Sequence, residues 1–357
     1  MKNVPSLFIP GPVNVHPDIA EAMSQPMIGH RAPEFSELYW DVVEGVQSVL
    51  QTKNRVYLST SSATGLMEAA VRNTVKKRAL NLVCGAFSLR WHQITDACGF
   101  DSDSVGVEWG DAIKPEHVRM ALGEADYDVI TVVHNETSTG VMNPLKAITE
   151  VIREHSDALI LVDTVSSMSG VNIPVDDWGI DIALASVQKA WGLPPGFAVM
   201  SVSERALERA KDQPNKGYYF DFEVFEKYHQ RGQTPSTPSI PHMYGLKRQI
   251  ERIGEEGLLN RFDRHKSMAK RTQDWALNHG FELFAEDPYQ SHTLTCIDNT
   301  LDVDVAELSN QLLERGFRIS NGYGPLKGKT FRIAHMADTQ PGDLDELLGH
   351  IDEILAK

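Results

Sequence analysis

Between residue 55 and about residue 210, short β-branched and aliphatic runs alternate with segments of helical periodicity, and this alternation restricts the fold more than any other feature of the chain. It predicts a mostly parallel sheet with helices on its faces, because parallel strands need crossover connections and are covered on both sides. Candidate strands are 55–59, 79–83, 102–107, 129–133, 158–163, 182–186 and 197–202, seven in all. Helical patterns fall between most of them, at 64–74, 89–97, 115–122 and 144–154. The run at 197 follows the run at 182 too closely for a helical crossover, so an antiparallel strand is expected there. Beyond Lys211 the pattern changes. Residues 232–241, GQTPSTPSIP, hold three prolines and read as an ordered extended loop or an exposed linker. Helical patterns at 242–255 and 258–278 follow, and then a smaller set of strands and helices. At about 150 residues per domain, 357 residues suit two domains. The expected division is a large α/β domain over 16–260 and a small α+β domain over 261–357.

Composition narrows the function classes. With 41% apolar and 23% charged residues the chain is of ordinary globular type, not collagenous or disordered. Its net charge of −15 is spread along the sequence, which disfavours binding to a nucleic-acid backbone but not to a small anion held in a locally basic site. Cys84, Cys98 and Cys296 are widely spaced, with no CxxC pair, and suggest a reducing compartment instead of a disulfide frame or zinc site. The opening MKNVPSLFIPGPVNV places Pro10 and Pro12 where a signal peptide needs an unbroken apolar stretch, and no apolar run approaches the ~20 residues that span a bilayer. A cytoplasmic protein without membrane or nucleic-acid partners is expected.

In an open α/β sheet, ligands bind beyond the carboxyl ends of the strands. Four loops there carry polar residues: SSATG ending at Gly65, HNETSTG ending at Gly140, Asp163 with Thr164, and SVQK ending at Lys189. Each has an ordinary structural explanation: a helix N-cap for SSATG, a turn residue for Asp163, a solvated surface charge for Lys189. Together they bring hydroxyls and free N–H groups suited to a phosphate, a carboxylate, and an amine among apolar neighbours to one sheet edge. That set matches the needs of pyridoxal 5'-phosphate, a lysine for the Schiff base and an acid for the pyridine nitrogen. No metal site is read from the sequence.

Ordered motifs along nearly the whole chain carry a resemblance to the class V, fold-type I aminotransferases, nearest to the alanine-glyoxylate and serine-glyoxylate (serine-pyruvate) branch. They are PGPVNV from Pro10, GHRAPEF from Gly29, SATGLMEAA from Ser62, GAFSLRW from Gly85, HNETSTG from His134, VDTVSS from Val162, SVQKAWGLPPG from Ser186, TPSTP from Thr234 and GKTFRIAHM from Gly328. The resemblance implies Lys189 as the Schiff-base and proton-shuttling lysine and Asp163 as the partner of the pyridine nitrogen. It implies Phe87 stacked on the coenzyme ring, where many relatives have Trp, and Val165 against the other face. Ser62, Ala63, Thr64 and Gln188 would contact the phosphate, Ser138 would lie near the phenolic oxygen, and Arg332 would bind the substrate α-carboxylate. Ala63 stands where many relatives have Gly. The Thr234–Thr237 loop would reach the phosphate of a neighbouring subunit in a homodimer, and residues 1–15 would pack near the active site.

The function so implied is ping-pong transfer of an amino group from a small amino acid, alanine or serine, to a 2-keto acid, glyoxylate or pyruvate. Three alternatives stay open at this point. His30 and Arg31, in the polar GHR segment, could face the substrate side chain and favour an acidic donor such as aspartate or phosphoserine. A cysteine desulfurase shares the fold but needs a mobile-loop Cys that is not evident before Arg332. A coenzyme-free binding protein could also retain the fold.

Overall fold

A computed structural model of the chain describes residues 4–356. The strands, in chain order, are β1 (Ser6–Phe8), β2 (Arg55–Ser59), β3 (Arg78–Val83), β4 (Asp101–Gly106), β5 (Val129–Val133), β6 (Asn135–Glu136), β7 (Val141–Met142), β8 (Leu159–Asp163), β9 (Ile182–Ser186), β10 (Ala198–Val202), β11 (Glu282–Leu283), β12 (Leu294–Asp298), β13 (Phe317–Asn321) and β14 (Thr330–Ala334). Seven of them form one sheet in the order β2-β10-β9-β8-β5-β3-β4. All seven coincide, to within a residue or so, with the runs read from sequence. β10 pairs antiparallel to both β9 and β2, as its short connection requires, so β2 and β9 run the same way. The central strands VITVV, LILVD and IALAS are buried along their whole length, the signature of parallel strands covered on both faces. At the edge, β4 reads DSDSVG, and its carboxylates discourage pairing with another chain.

The helix expected from residue 89 begins earlier, at Ala86. Its N-terminal N–H groups have no capping side chain nearby in sequence. They are satisfied instead by the buried Glu136 carboxylate, which accepts from the Phe87 and Ser88 N–H groups at 3.1 and 2.9 Å. The chain also forms a long amphipathic helix, Pro33–Leu50, that packs Phe35, Leu38, Val42, Val46 and Val49 into the large core.

A second sheet, β1-β13-β14-β12-β11, is built from the C-terminal residues and one strand of the N-terminus, β1, which pairs parallel with β13. Its core gathers Phe8, Phe281, Phe331 and Leu347. From β1 the chain runs on to Gly11 and Val13, and the Val13 N–H donates to the Gln188 carbonyl. Gly11 has a φ of +97°, and a Cβ there would lie 2.8 Å from Lys189 Cγ, so only glycine lets this segment pack on the lysine. Residues 232–239 form an ordered loop with Thr234 buried, not a free linker.

The two sheets are tied by Arg261, on the helix Leu258–Asn278. Its fully buried guanidinium donates to the carbonyls of Ser169 and Ala190 and to the carboxylates of Glu256 and Asp338. Arg261→Ala leaves the Asp338 carboxylate without its cation and the Ser169 and Ala190 carbonyls without this donor, while Glu256 keeps its bidentate pair with Arg264, so it is expected to destabilise the fold by about 3 kcal/mol in urea denaturation. Arg261→Lys recovers only part of that, because an ammonium has three donors to offer in place of a planar fork. An unchanged denaturation midpoint in Arg261→Ala would show that the tie contributes nothing.

Candidate active site

The loops after β2, β5, β8 and β9 meet at the carboxyl edge of the large sheet around a cleft of about 100 Å³. Although β10 separates β2 from β9, the loop after β2 crosses over it: the Ala63 N–H donates to Ser186 Oγ at 2.6 Å. Ser62 precedes the helix Ala63–Thr74 with extended backbone, and its hydroxyl does not cap that helix. The Ser62 hydroxyl and the exposed Thr64 at the helix start therefore face the cleft, at the positive end of the helix dipole. Ala63 sits in helical geometry, so no positive φ is needed where glycine might have supplied one, but its N–H is already taken by Ser186.

Asp163 ends β8 and is buried. Its Oδ1 accepts from the Val165 N–H at 2.8 Å. Burial raises its pKa to about 6, opposed by that N–H and by the nearby Lys189. Lys189, 9% exposed, donates to Thr137 Oγ1 and Ser166 Oγ, both at 3.0 Å. Burial lowers its pKa to about 8, against the pull of Asp163 and Glu136 and with that of Arg332 and Arg90. A buried amine held by neutral hydroxyls thus has a far larger uncharged, nucleophilic fraction near neutral pH than a solvated lysine does. Its Nζ lies 4.9 Å from the centroid of the Phe87 ring.

Arg332, on β14, is buried, and among the described residues no carboxylate pairs with it. Its Nε and one Nη2 hydrogen bond the Asn321 carbonyl, and Nη1 donates to the Thr137 carbonyl at 3.0 Å. A guanidinium has five N–H groups, so one on each terminal nitrogen remains, the pair that a carboxylate can take bidentately. Desolvation lowers the Arg332 pKa. One residue links the two cations: Thr137 holds Lys189 by its hydroxyl and Arg332 by its carbonyl.

Of the residues expected from sequence, Ser62, Ala63, Thr64, Phe87, Asp163, Val165, Gln188 and Lys189 line the cleft. Ser138 lies behind the wall, where its hydroxyl donates to Glu136 at 2.6 Å and accepts from the Ala86 N–H; Thr137, one residue earlier, faces the cleft. Thr234 and Thr237 are not in the cleft. Their loop lies beside Thr60 at the end of β2, and Arg31 and His30 dock on it. Arg31 donates to the Thr234 carbonyl at 2.9 Å and stacks over Tyr228, and His30 approaches Thr237 Oγ1 at 3.3 Å. Within one chain, therefore, neither His30 nor Arg31 faces the substrate end of the cleft.

Several cleft residues escaped the sequence reading. Asn135, Thr137, Ser166, Ser186 and Arg90 all lie inside motifs quoted above, and only the strand-end geometry shows which members of each motif point inward. Arg90 reaches over Phe87 at 4.9 Å and has no carboxylate partner among the described residues. The amide oxygens of Asn135 and Gln188 are buried without hydrogen-bond partners, which marks a wall built to meet a ligand. Cys84 and Cys296 are buried thiols pushed up to about 12 by desolvation, and neither lines the cleft, so no cysteine is set up as its nucleophile. Among the described residues, no group of three or more potential ligands could hold a metal, and no helix is long and apolar enough to cross a membrane.

The family model for class-V aminotransferases matches residues 18–326. The chain belongs to this family. It is 39% identical over 336 residues to an uncharacterized aminotransferase of Methanocaldococcus jannaschii, covering 92% of this chain and 87% of that one. It is 33% identical over 355 residues to a serine–glyoxylate aminotransferase of Methylorubrum extorquens, covering 96% and 87%. Among solved structures, an alanine–glyoxylate aminotransferase from Nostoc sp. superposes with a TM-score of 0.93 at 30% identity, covering 99% of this chain and 95% of that one. The chain is a transaminase of fold-type I.

The depressed lysine pKa carries a direct expectation. Reductive alkylation of the apoprotein with a small aldehyde, which consumes neutral amines, should label Lys189 half-maximally near pH 8. Surface lysines should require a pH near their ordinary value of about 10.4. Peptide mass spectrometry across a pH series reads this, and identical profiles for Lys189 and the surface lysines would refute the desolvated-amine assignment.

Proposed function

We propose that this transaminase carries pyridoxal 5'-phosphate in the cleft and moves the amino group of a small amino acid, alanine or serine, to glyoxylate or pyruvate. The observation that carries this reading is the pairing of a buried, hydroxyl-held Lys189 with a buried arginine, Arg332, that lacks a carboxylate, joined through Thr137. When bound, the coenzyme delocalises the electron pair released as the donor Cα–H bond breaks.

The protein's own groups do the rest. Arg332 fixes the α-carboxylate of donor and acceptor alike, so that the two half-reactions share one site. Lys189 would hold and move the donor Cα proton in a 1,3-transfer across the nitrogen, and a pKa of about 8 leaves a neutral fraction of the amine to accept it near neutral pH. Asp163 would face the pyridine nitrogen and keep it protonated: with a pKa raised only to about 6, its buried carboxylate is mostly ionised at neutral pH. Ser62, Thr64 and the start of the helix Ala63–Thr74 receive the phosphate, with Gln188 beside them. Phe87 and Val165 form the two sides of the ring slot.

In this reading the protein works as a cytoplasmic homodimer. The Thr234–Thr237 loop, ordered yet outside its own chain's cleft, and the exposed Tyr218 and Tyr219 beside Thr60 suit a surface that a second copy covers. Glyoxylate is the acceptor named in both the serine and the alanine relatives, and it supports a small keto acid here.

An amino-donor panel assayed against glyoxylate, pyruvate and 2-oxoglutarate tests the proposal. Alanine or serine with glyoxylate should give the highest kcat/KM; a clear preference for aspartate or phosphoserine would replace the small-donor reading with the acidic one. Lys189→Ala should abolish both turnover and the visible absorption of bound coenzyme. Arg332→Ala should lose about 100-fold in kcat/KM for every carboxylate substrate, equivalent to ~3 kcal/mol of charge-assisted hydrogen bonds, while keeping the coenzyme.

A further inference from the structure

Tyr323 belongs to no motif read from the sequence, yet it connects the two halves of the site. It lies in the NGYG turn after β13, with its ring centroid 5.4 Å from that of Phe87 and 5.7 Å from Arg332 Cζ. Phe87 in turn lies 4.9 Å from Lys189 Nζ. Two rails therefore lead side by side from the cleft wall, where Lys189, Thr137 and Phe87 lie, to Arg332 and Tyr323. One is polar, Lys189–Thr137–Arg332, and the other is aromatic, Phe87–Tyr323.

The turn that presents Tyr323 is rigid. Asn321 Oδ1 accepts from the N–H groups of Gly322 and Gly328 at 2.8 and 2.7 Å, and the Asn321 carbonyl anchors Arg332. A Cβ on Gly322 would meet the Leu326 carbonyl at 2.0 Å, so the backbone beside Tyr323 has no room to shift. The ring thus has a fixed relation to the guanidinium that takes the substrate carboxylate. Its hydroxyl makes no hydrogen bond to another described residue, so the phenol is not placed there to satisfy a neighbour.

Resting on the site assigned above, we propose that Tyr323 is the specificity-determining wall for the amino donor. With its carboxylate on Arg332 and its nitrogen toward Lys189, an α-amino acid spans Thr137. The Phe87 end of the aromatic rail belongs to the coenzyme, which leaves the donor side chain to the Tyr323 end. A phenol ring fixed there leaves space for a methyl or hydroxymethyl group and obstructs longer chains. It also supplies no cation for a distal carboxylate, and Arg90, over the Phe87 ring, reaches towards Thr64 instead.

The test compares the coenzyme-loaded wild type with Tyr323→Leu and Tyr323→Phe, using alanine and norvaline as donors to glyoxylate. A hydrophobic wall discriminates by roughly 10-fold or more for each methylene it excludes. Tyr323→Leu should therefore raise the norvaline/alanine ratio of kcat/KM at least tenfold, and Tyr323→Phe, which keeps the ring, should leave that ratio within about twofold. Spectral titration of each loaded protein with the two donors, in the absence of keto acid, should show the same shift in apparent Kd. An unchanged ratio in Tyr323→Leu, or an equal rise in both variants, would overturn the wall assignment. Failure of the transaminase site itself would look different, because the wild type would then turn over no donor at all.

Discussion

The chemistry proposed for this protein depends on keeping one amine, that of Lys189, out of water without pairing it directly to a carboxylate. Lys189 is held by two hydroxyls, those of Thr137 and Ser166, while the nearest acids act on it only through space. A direct ion pair would hold the amine charged; full burial without any donor–acceptor contact would cost several kcal/mol. Two neutral acceptors lie between these extremes, and burial lowers the pKa to about 8 with the Asp163 and Glu136 charges limiting the drop. The surrounding fold makes that arrangement reproducible. β8 and β9 run in register to set Asp163 beside the lysine loop, Gly11 packs on the lysine stem, and Arg261 binds the carbonyl of the next residue, Ala190.

The same constraint explains how an acidic protein builds a basic site. Elsewhere the cations are neutralised locally: Arg248 and Arg252 share Asp18, Lys247 meets Asp41, and Arg153 is tied to Asp181. Lys189 and Arg90, which line the cleft, and Arg332, which donates to the carbonyl of the cleft residue Thr137, have no carboxylate in contact among the described residues, so their field is available to a small anion. The net charge of −15 is a property of the outer surface, and it neither opposes nor reports the positive interior of the cleft.

Much of this was legible in the sequence, and the parts that were not share a cause. The seven strands could be read because parallel strands buried on both faces appear as unbroken apolar runs such as VITVV and LILVD. Lys189 and Asp163 could be read because each directly follows or ends such a run. The missed features depend on residues far apart in the chain. The early start of the helix Ala86–Ala97 requires the Glu136 carboxylate as its cap, and the inward turn of Thr137 in place of Ser138 follows from that same carboxylate engaging the Ser138 hydroxyl. β1 is only three residues long, and nothing local shows that its partner is β13. Tyr323 carries no motif at all, and its place is apparent only once β13 and β14 have brought it against Phe87.

The N-terminal strand gives the two sheets a second connection that bears on function. Through β1 the N-terminus belongs to the sheet that carries Arg332 and Tyr323, and within a few residues of leaving it the same segment packs on Lys189 and hydrogen bonds the Gln188 carbonyl. Arg332 makes the reverse crossing, from the C-terminal sheet to the Thr137 carbonyl on the loop that holds Lys189. Arg332 and the Lys189 amine are thus joined by two short routes that run in opposite directions between the sheets. A displacement of one sheet against the other would have to stretch both routes together. The distance between Lys189 and Arg332, which in the proposed function sets the length of substrate that can react, is therefore fixed by backbone pairing and packing on both sides and not by the reach of flexible side chains.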